Sequence, residues 1–227
     1  MCGRFTNNAK PEQIEKEFKV GKKNANLFQP RYNIAPAQMI DVAFELENER
    51  VLSRLKWGLV PSWLKDATTS KGLINARAET IAEKPSFREA FKSRRCIIPA
   101  SGFYEWQKKG MGAKQPFYFY LKEKEVFGFA GLWKSWVDKS TGEELETCTI
   151  ITTEANEVLK PVHDRMPVIL RPKSYDEWLD AKVKDTEKLR KLLVPYPSDE
   201  MSSHAVSKSV NIPDSDSDEL IKPMNSL

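Results

Sequence analysis

Short runs in which apolar and polar residues alternate, bounded by Gly, Pro and Asn, recur along the chain. This is the two-residue period of a half-buried strand. Met39 to Leu46 and Val51 to Trp57 both show it, and Glu47-Asn-Glu-Arg50 between them predicts a hairpin. The aromatic-rich runs Gln115 to Leu121 and Val126 to Trp133 predict a second one. Glu146 to Thr153, Val168 to Leu170 and the apolar stretch Cys96-Ile-Ile-Pro-Ala100 predict further strands, the last buried. Gln29 to Pro36 carries two prolines, which exclude a helix and leave an extended segment. Gly72 to Thr80 also reads as extended, with Asn75, Arg77 and Glu79 on one alternating face.

Helical spacing is confined to short pieces. Ile14 and Phe18, four apart, predict an amphipathic surface helix from Pro11 to Val20, capped by Asn7 or Asn8. Ser86 to Ser93 predicts a helix that turns Phe87 and Phe91 inward, with Arg94 and Arg95 at its negative C-terminal end. Glu154 to Lys160 reads as a helix capped by Thr153 and stopped before Pro161. Ser174 is the expected cap of Tyr175 to Leu179, and Asp185 or Thr186 opens a helix running to Leu193. Gly21 to Gln29 and Lys108 to Lys114 are polar loops, and Trp57 to Trp63 is a shaped loop holding two indoles, a Gly and a Pro. From Pro195 onward the chain reads as irregular, with an acidic, solvated segment at about 213–219. Many strands, few short helices and no βαβ alternation predict an α+β fold. Its core is mainly antiparallel β-sheet, a partly closed barrel with short peripheral helices. The 227 residues are read as a single domain, 1–227, with no internal repeat.

Composition narrows the function classes. Hydrophobic residues at 40% suffice for a core, and no apolar run reaches transmembrane length or opens the chain as a leader, so a soluble, cytoplasmic protein without a membrane partner is expected. A net charge of +4 permits a polyanionic partner without arguing for one. Three scattered cysteines (Cys2, Cys96, Cys148) and two histidines (His163, His204) argue against a disulfide framework or a zinc site. No metal and no cofactor are expected.

Four polar residues stand in non-periodic Gly/Pro/aromatic surroundings: Cys2, Asn75, Glu105 and His163. Each alone has an ordinary reading: a small buried thiol, an edge-strand amide, a snorkelling carboxylate, a hydrogen-bonded imidazole. Cys2 is distinctive because removal of Met1 places an α-amine and a thiol on adjacent carbons. The amine condenses with an aldehyde to an imine, and the sulfur then closes a five-membered thiazolidine. Glu105 lies between Tyr104 and Trp106, a context that raises a carboxyl's pKa by desolvation.

Met1-Cys-Gly-Arg-Phe5, Arg31-Tyr-Asn-Ile-Ala-Pro36, Trp57-Gly-Leu-Val-Pro61, Ile74-Asn-Ala-Arg-Ala-Glu-Thr80, Arg95-Cys-Ile-Ile-Pro-Ala-Ser-Gly-Phe-Tyr-Glu-Trp106 and Val162-His-Asp-Arg-Met-Pro167 occur in one order across most of the chain. Together they resemble the SOS-response-associated peptidase (SRAP) family. The resemblance implies a protein of the DNA damage response that binds single-stranded DNA and shields abasic sites by a covalent protein–DNA thiazolidine, with self-removal of Met1. It implies Cys2 as nucleophile, Asn75 positioning the N-terminus and sugar, Glu105 as general acid/base, and His163 assisting ring opening and proton transfer. It further implies Arg77, Arg4 and Arg165 at the phosphates and Trp63 or Trp106 beside the splayed strand. The partner would be single-stranded DNA containing abasic sites, and the protein a monomer, nucleoid-associated if bacterial. Two other readings compete. One is a conventional thiol peptidase using Cys2 with His163 and Asn75 or Asp164; the other is a non-catalytic single-stranded DNA reader indifferent to Cys2.

Overall fold

Two long strands organise the molecule, and the computed structural model describes the chain around them at residues 2–20, 29–47, 49–64, 72–108, 110 and 114–224. In chain order the elements are β1 (Phe5–Asn7), α1 (Pro11–Phe18), β2 (Arg31–Ile34), β3 (Met39–Leu46), β4 (Glu49–Trp57), β5 (Asn75–Arg77), α2 (Arg88–Ser93), β6 (Arg95–Ala100) and β7 (Gly102–Gln107). There follow β8 (Gln115–Leu121), β9 (Phe127–Val137), β10 (Glu144–Glu154), β11 (Arg165–Pro167), β12 (Ile169–Leu170), α3 (Tyr175–Leu179), α4 (Thr186–Arg190) and β13 (Met201–Ala205). Among these residues no helix is long and apolar enough to cross a membrane.

At 11 residues each, β9 and β10 have length enough to pair on both edges. β10 joins β9 on one side and β4 on the other; β4 joins β3, β3 joins β6, and β6 returns to β9. The barrel therefore closes on five strands, further than the partly closed core expected. Closure brings strands into close approach at Gly131, where a Cβ would meet Cys96 Sγ and Ile98 Cδ1 at 2.9 Å and the Thr149 carbonyl oxygen at 3.0 Å. Beyond the barrel the end of β10 continues, pairing with β5 in parallel and β11 in antiparallel.

The second sheet, in the order β13-β8-β7-β1-β2, packs one face on the barrel. Phe5, Phe103 and Phe119 from this sheet share a core with Trp57, Phe127 and Phe129 from the barrel. The Phe5 ring meets Trp57 edge-on at 5.3 Å between centroids. Helices α1 to α3 and the Leu189–Leu193 region cover another part of the barrel through Ile14, Phe18, Phe91, Trp178 and Leu193. The outer face of the second sheet carries Tyr104 and Tyr118, which a C-terminal strap seals with Val206, Val210 and Leu220.

The first hairpin forms as expected, β3 to β4, with Glu47 in the left-handed region at φ 51°. In contrast, β8 and β9, expected as the second hairpin, part into different sheets, β8 beside β7 and β13 and β9 beside β6 and β10. Several local expectations are corrected. The cap of α1 is Lys10, whose N–H donates to Gln13 Oε1 at 2.7 Å, because Asn7 is taken into β1. Glu154 to Lys160 is not a helix. Glu154 finishes β10, and Asn156 Oδ1 accepts the Leu159 N–H at 3.1 Å to make a side-chain-closed turn. Ser174 makes no side-chain cap bond to α3, whereas the Asp185 carboxylate accepts the Glu187 and Lys188 N–H groups at the start of α4. The region after Pro195 is not wholly irregular, since β13 pairs with β8 over five residue pairs. Within the acidic segment Asp216 is bound, its carboxylate accepting from Arg31 and from the Tyr32 N–H. The loop expected at 21–29 lies outside the described residues except for Gln29, and the Lys108–Lys114 turn does so in part.

Candidate active site at the junction of the two sheets

Alternation along β7 explains the burial of its carboxylate. Phe103 points into the core between the sheets, and Glu105, two residues on, continues that face. Glu105 is only 3% exposed. Burial pushes its carboxyl up to about 7, while the positive chain terminus and Lys114 draw it down and Asp164 adds to the rise. A carboxyl with this pKa exchanges protons readily near neutral pH.

Cys2 arrives on the same side. β1 pairs antiparallel with β7, Phe5 opposite Phe103, and the Tyr104 N–H donates to the Arg4 carbonyl at 3.0 Å. Continuing that register sets Gly3 and Cys2 beside Glu105 and Trp106. Cys2 is fully buried, and desolvation followed by the Glu105 charge raises its thiol pKa, so the resting sulfur keeps its proton.

The other sheet supplies Asn75. Its Nδ2 donates to the Cys2 carbonyl at 3.0 Å, and its Oδ1 is buried without a partner among the described residues. β5 is held at this spot by its pairing to β10 and by Trp57, whose indole N–H donates to the Ile74 carbonyl at 2.9 Å. His163 lies on the turn that leaves β10, closed by the Ala155 N–H donating to the Asp164 carbonyl at 3.0 Å. Gln107 of β7 reaches across to that turn, its Nε2 donating to the Pro161 carbonyl at 2.9 Å. The His163 Nδ1 accepts the Arg165 N–H at 2.9 Å and lies at the same distance from Asp164 Oδ1. Only one of these contacts is a hydrogen bond in a given protonation state. Burial first, then the positive chain terminus, lowers the His163 pKa, which favours the neutral ring with the backbone bond made.

The barrel and the second sheet thus bring Cys2, Asn75, Glu105 and His163 to one junction. The predicted DNA-contact residues divide. Arg77 is exposed on the same face of β5 as Asn75, and Trp63 is 60% exposed. Trp106 is partly buried and donates its indole N–H to Asn211 Oδ1 at 2.8 Å. Arg165 is forked onto Glu79, at 2.6 and 2.9 Å, and donates to the Thr152 carbonyl at 2.7 Å. Arg4 donates to Asn33 Oδ1 at 2.7 Å and to the Val210 carbonyl at 2.9 Å. Asn33 and Glu79 are the acceptors that take up Arg4 and Arg165. Their sequence signal is slight: an Asn between two prolines, and a Glu in register with Asn75 and Arg77. Among the described residues no cluster of His, Cys, Asp or Glu is arranged to hold a metal ion.

The model of the family described as SOS response associated peptidase (SRAP) matches residues 1–213. The abasic site processing protein YoqW of Bacillus subtilis is 44% identical, over 98% of this chain and 99% of its own length. The abasic site processing protein HMCES of Xenopus tropicalis is 30% identical, over 93% of this chain and 75% of its own. A crystal structure of a protein from Bacteroides thetaiotaomicron superposes with a TM-score of 0.85 at 28% identity, covering 98% of this chain and 100% of that one.

Proposed function

Because the chain belongs to the SRAP family, we propose that it processes abasic sites in single-stranded DNA by capturing the ring-opened sugar aldehyde on Cys2. The observation that carries this reading is the convergence on Cys2 of Asn75, bonded to its carbonyl, and of Glu105, a buried carboxyl whose pKa is up to about 7.

Hydrolysis of the Met1–Cys2 amide consumes one water and frees the α-amine of Cys2. That amine adds to the C1′ aldehyde, and the carbinolamine loses water to give an imine. The Cys2 sulfur then bonds to the imine carbon while its proton passes to the nitrogen, closing the thiazolidine. One water leaves over the two condensation steps, and the ring removes the imine that would otherwise favour β-elimination and strand breakage. Glu105 protonates the departing hydroxyl and receives the thiol proton. The raised thiol pKa makes this base necessary, because a buried thiol supplies no resting thiolate. Neutral His163 exchanges protons with the sugar oxygens, and Asn75 fixes the Cys2 carbonyl while offering its Oδ1 to the amine or sugar. Arg77 pairs with a flanking phosphate, and Trp63 stacks on an unpaired base. Single strands are preferred because the sugar carbon must be exposed, and the protein acts as a cytoplasmic monomer.

A conventional thiol peptidase is the weaker reading. Such a peptidase works through a thiolate–imidazolium pair, whereas here burial raises the Cys2 thiol pKa and lowers that of His163, leaving both groups neutral. The deciding experiment incubates Met1-free protein with abasic single-stranded DNA and reads intact mass. A heat-stable adduct is expected from wild type and none from Cys2→Ala. An adduct surviving in Cys2→Ala, or none from correctly processed wild type, refutes the reading.

A further inference from the structure

The groups around Arg4 form a continuous brace between the N-terminal strand and the C-terminal strap. The backbone N–H of Arg4 faces the Cys2 sulfur, and the Arg4 carbonyl accepts the Tyr104 N–H, one residue before Glu105. The guanidinium is then taken up by Asn33 Oδ1 at 2.7 Å and the Val210 carbonyl at 2.9 Å. Asn33 is fully buried in β2, and its Nδ2 faces three strap carbonyls, Val210 at 3.3 Å, Ile212 at 3.0 Å and Ser215 at 2.7 Å. Asp216 ties the strap back to β2 through Arg31 and the Tyr32 N–H. One residue thus touches the sulfur, the strand that carries the carboxyl, and the strap.

We propose that Arg4 and Asn33 are positioning residues, and that the strap around residues 206–216 is the brace that holds the Cys2 sulfur against Glu105. This rests on Cys2 being the reacting residue, and it moves Arg4 from the phosphate contacts to the internal scaffold. Both bonds leave one guanidinium nitrogen, Nη1, whose two N–H groups are fixed in the plane of the group and so hold Asn33 and Val210 in set directions, whereas an ammonium is a rotating point charge on a flexible stem. Asn33 is similarly matched, since one amide receives the Arg4 bond on its oxygen and serves the strap carbonyls from its nitrogen. Mispositioning of reacting groups by about 1 Å costs roughly 100-fold in rate, so loss of the brace is felt at the chemical step.

The test compares wild type, Arg4→Lys, Arg4→Ala and Asn33→Ala, each checked for a cooperative thermal melt. Adduct formation is timed at saturating abasic single-stranded DNA, and affinity is measured separately on intact single-stranded DNA across salt concentrations. The expected result is a roughly 10- to 100-fold slower adduct in all three variants, including Arg4→Lys, with unchanged affinity and salt slope. A phosphate contact gives the opposite pattern, with Arg4→Lys near wild type and Arg4→Ala weakened in binding with a shallower salt slope, and it overturns the proposal. A readout independent of DNA is alkylation of Cys2 by iodoacetamide, mapped by mass spectrometry. Asn33→Ala should speed labelling of Cys2 while Cys96 and Cys148 stay protected. Labelling at the wild-type rate overturns the brace even if an unfolded Arg4 variant makes the kinetics unreadable. Failure of wild type itself to form an adduct tells instead against the proposed function.

Discussion

Replacing Glu105 by Gln isolates the energetic consequence of burying a carboxyl at the sheet junction. In the folded chain this carboxyl holds its proton to about 7, against 4.5 when exposed. Between those values the folded state binds more protons than the unfolded state, so stability falls as pH rises. The penalty is absent below about 4.5, grows across the window and is complete above about 7. The difference of 7 − 4.5 = 2.5 pH units, at about 1.4 kcal/mol per unit, amounts to about 3 kcal/mol. Glu105→Gln keeps the size and most of the hydrogen bonding of the protonated acid and does not ionise. Urea unfolding from pH 4 to 8 should therefore give two curves that nearly coincide at the acid end. They should diverge by about 3 kcal/mol at the neutral end, with Gln the more stable. Other titrating groups, such as Asp41 and His163, move both curves together and drop out of the difference. Parallel curves, separated by a constant amount within about 0.5 kcal/mol, refute the claim that Glu105 is buried with a raised pKa. The same variant should form adduct far more slowly than wild type, so that the stability gained and the activity lost have one origin.

Asn75→Ala removes the donor to the Cys2 carbonyl, and single-turnover adduct formation should slow by roughly 10- to 100-fold while affinity for intact single strands holds. Gly131→Ala sets a methyl 3.0 Å from the Thr149 carbonyl oxygen and 2.9 Å from Cys96 Sγ, and should lower the free energy of urea unfolding by about 1–3 kcal/mol. All three cysteines are buried, so a colorimetric thiol reagent should titrate almost none in native protein and three after denaturation. Arg165→Ala breaks the fork to Glu79 beside the His163 turn, and should lower the thermal midpoint by a few degrees, consistent with about 1–2 kcal/mol.

The elements that the sequence makes legible are those whose signal is local. The β3–β4 hairpin follows from alternation on both sides of a polar turn, and β6 from an uninterrupted apolar run. Phe87 and Phe91 mark the buried side of the α2 region in the same way. Elements lost to the reading lack such a signal. β13 is Met-Ser-Ser-His-Ala, with no apolar alternation, and exists because β8 offers it a complete set of partners. β1 is three residues long and is defined by β2 and β7 on either side. The expected helix after Thr153 yields to β10 because pairing with β5 and β11 satisfies the backbone to Glu154.

The candidate site divides along the same line. Residue types and motif order single out Cys2, Asn75, Glu105 and His163, since an aminothiol, an amide, a carboxyl and an imidazole have the required chemistry wherever they stand. Their meeting is a tertiary fact, made by β1 lying along β7 while β5 and the His163 turn flank the end of β10. The raised pKa of Glu105 likewise needs both sheets, because neighbouring aromatic residues in sequence point to alternate faces and do not by themselves exclude water. Arg4 shows the limit most sharply. As a residue type it fits a phosphate, and only the buried amide of Asn33 and the carbonyl of Val210, both distant in sequence, determine where its charge is used. The sequence determined which functional groups the protein possesses and the local periods that form its strands. The tertiary structure decided which groups lose their water, and a group's proton affinity and bonding partners follow from that loss.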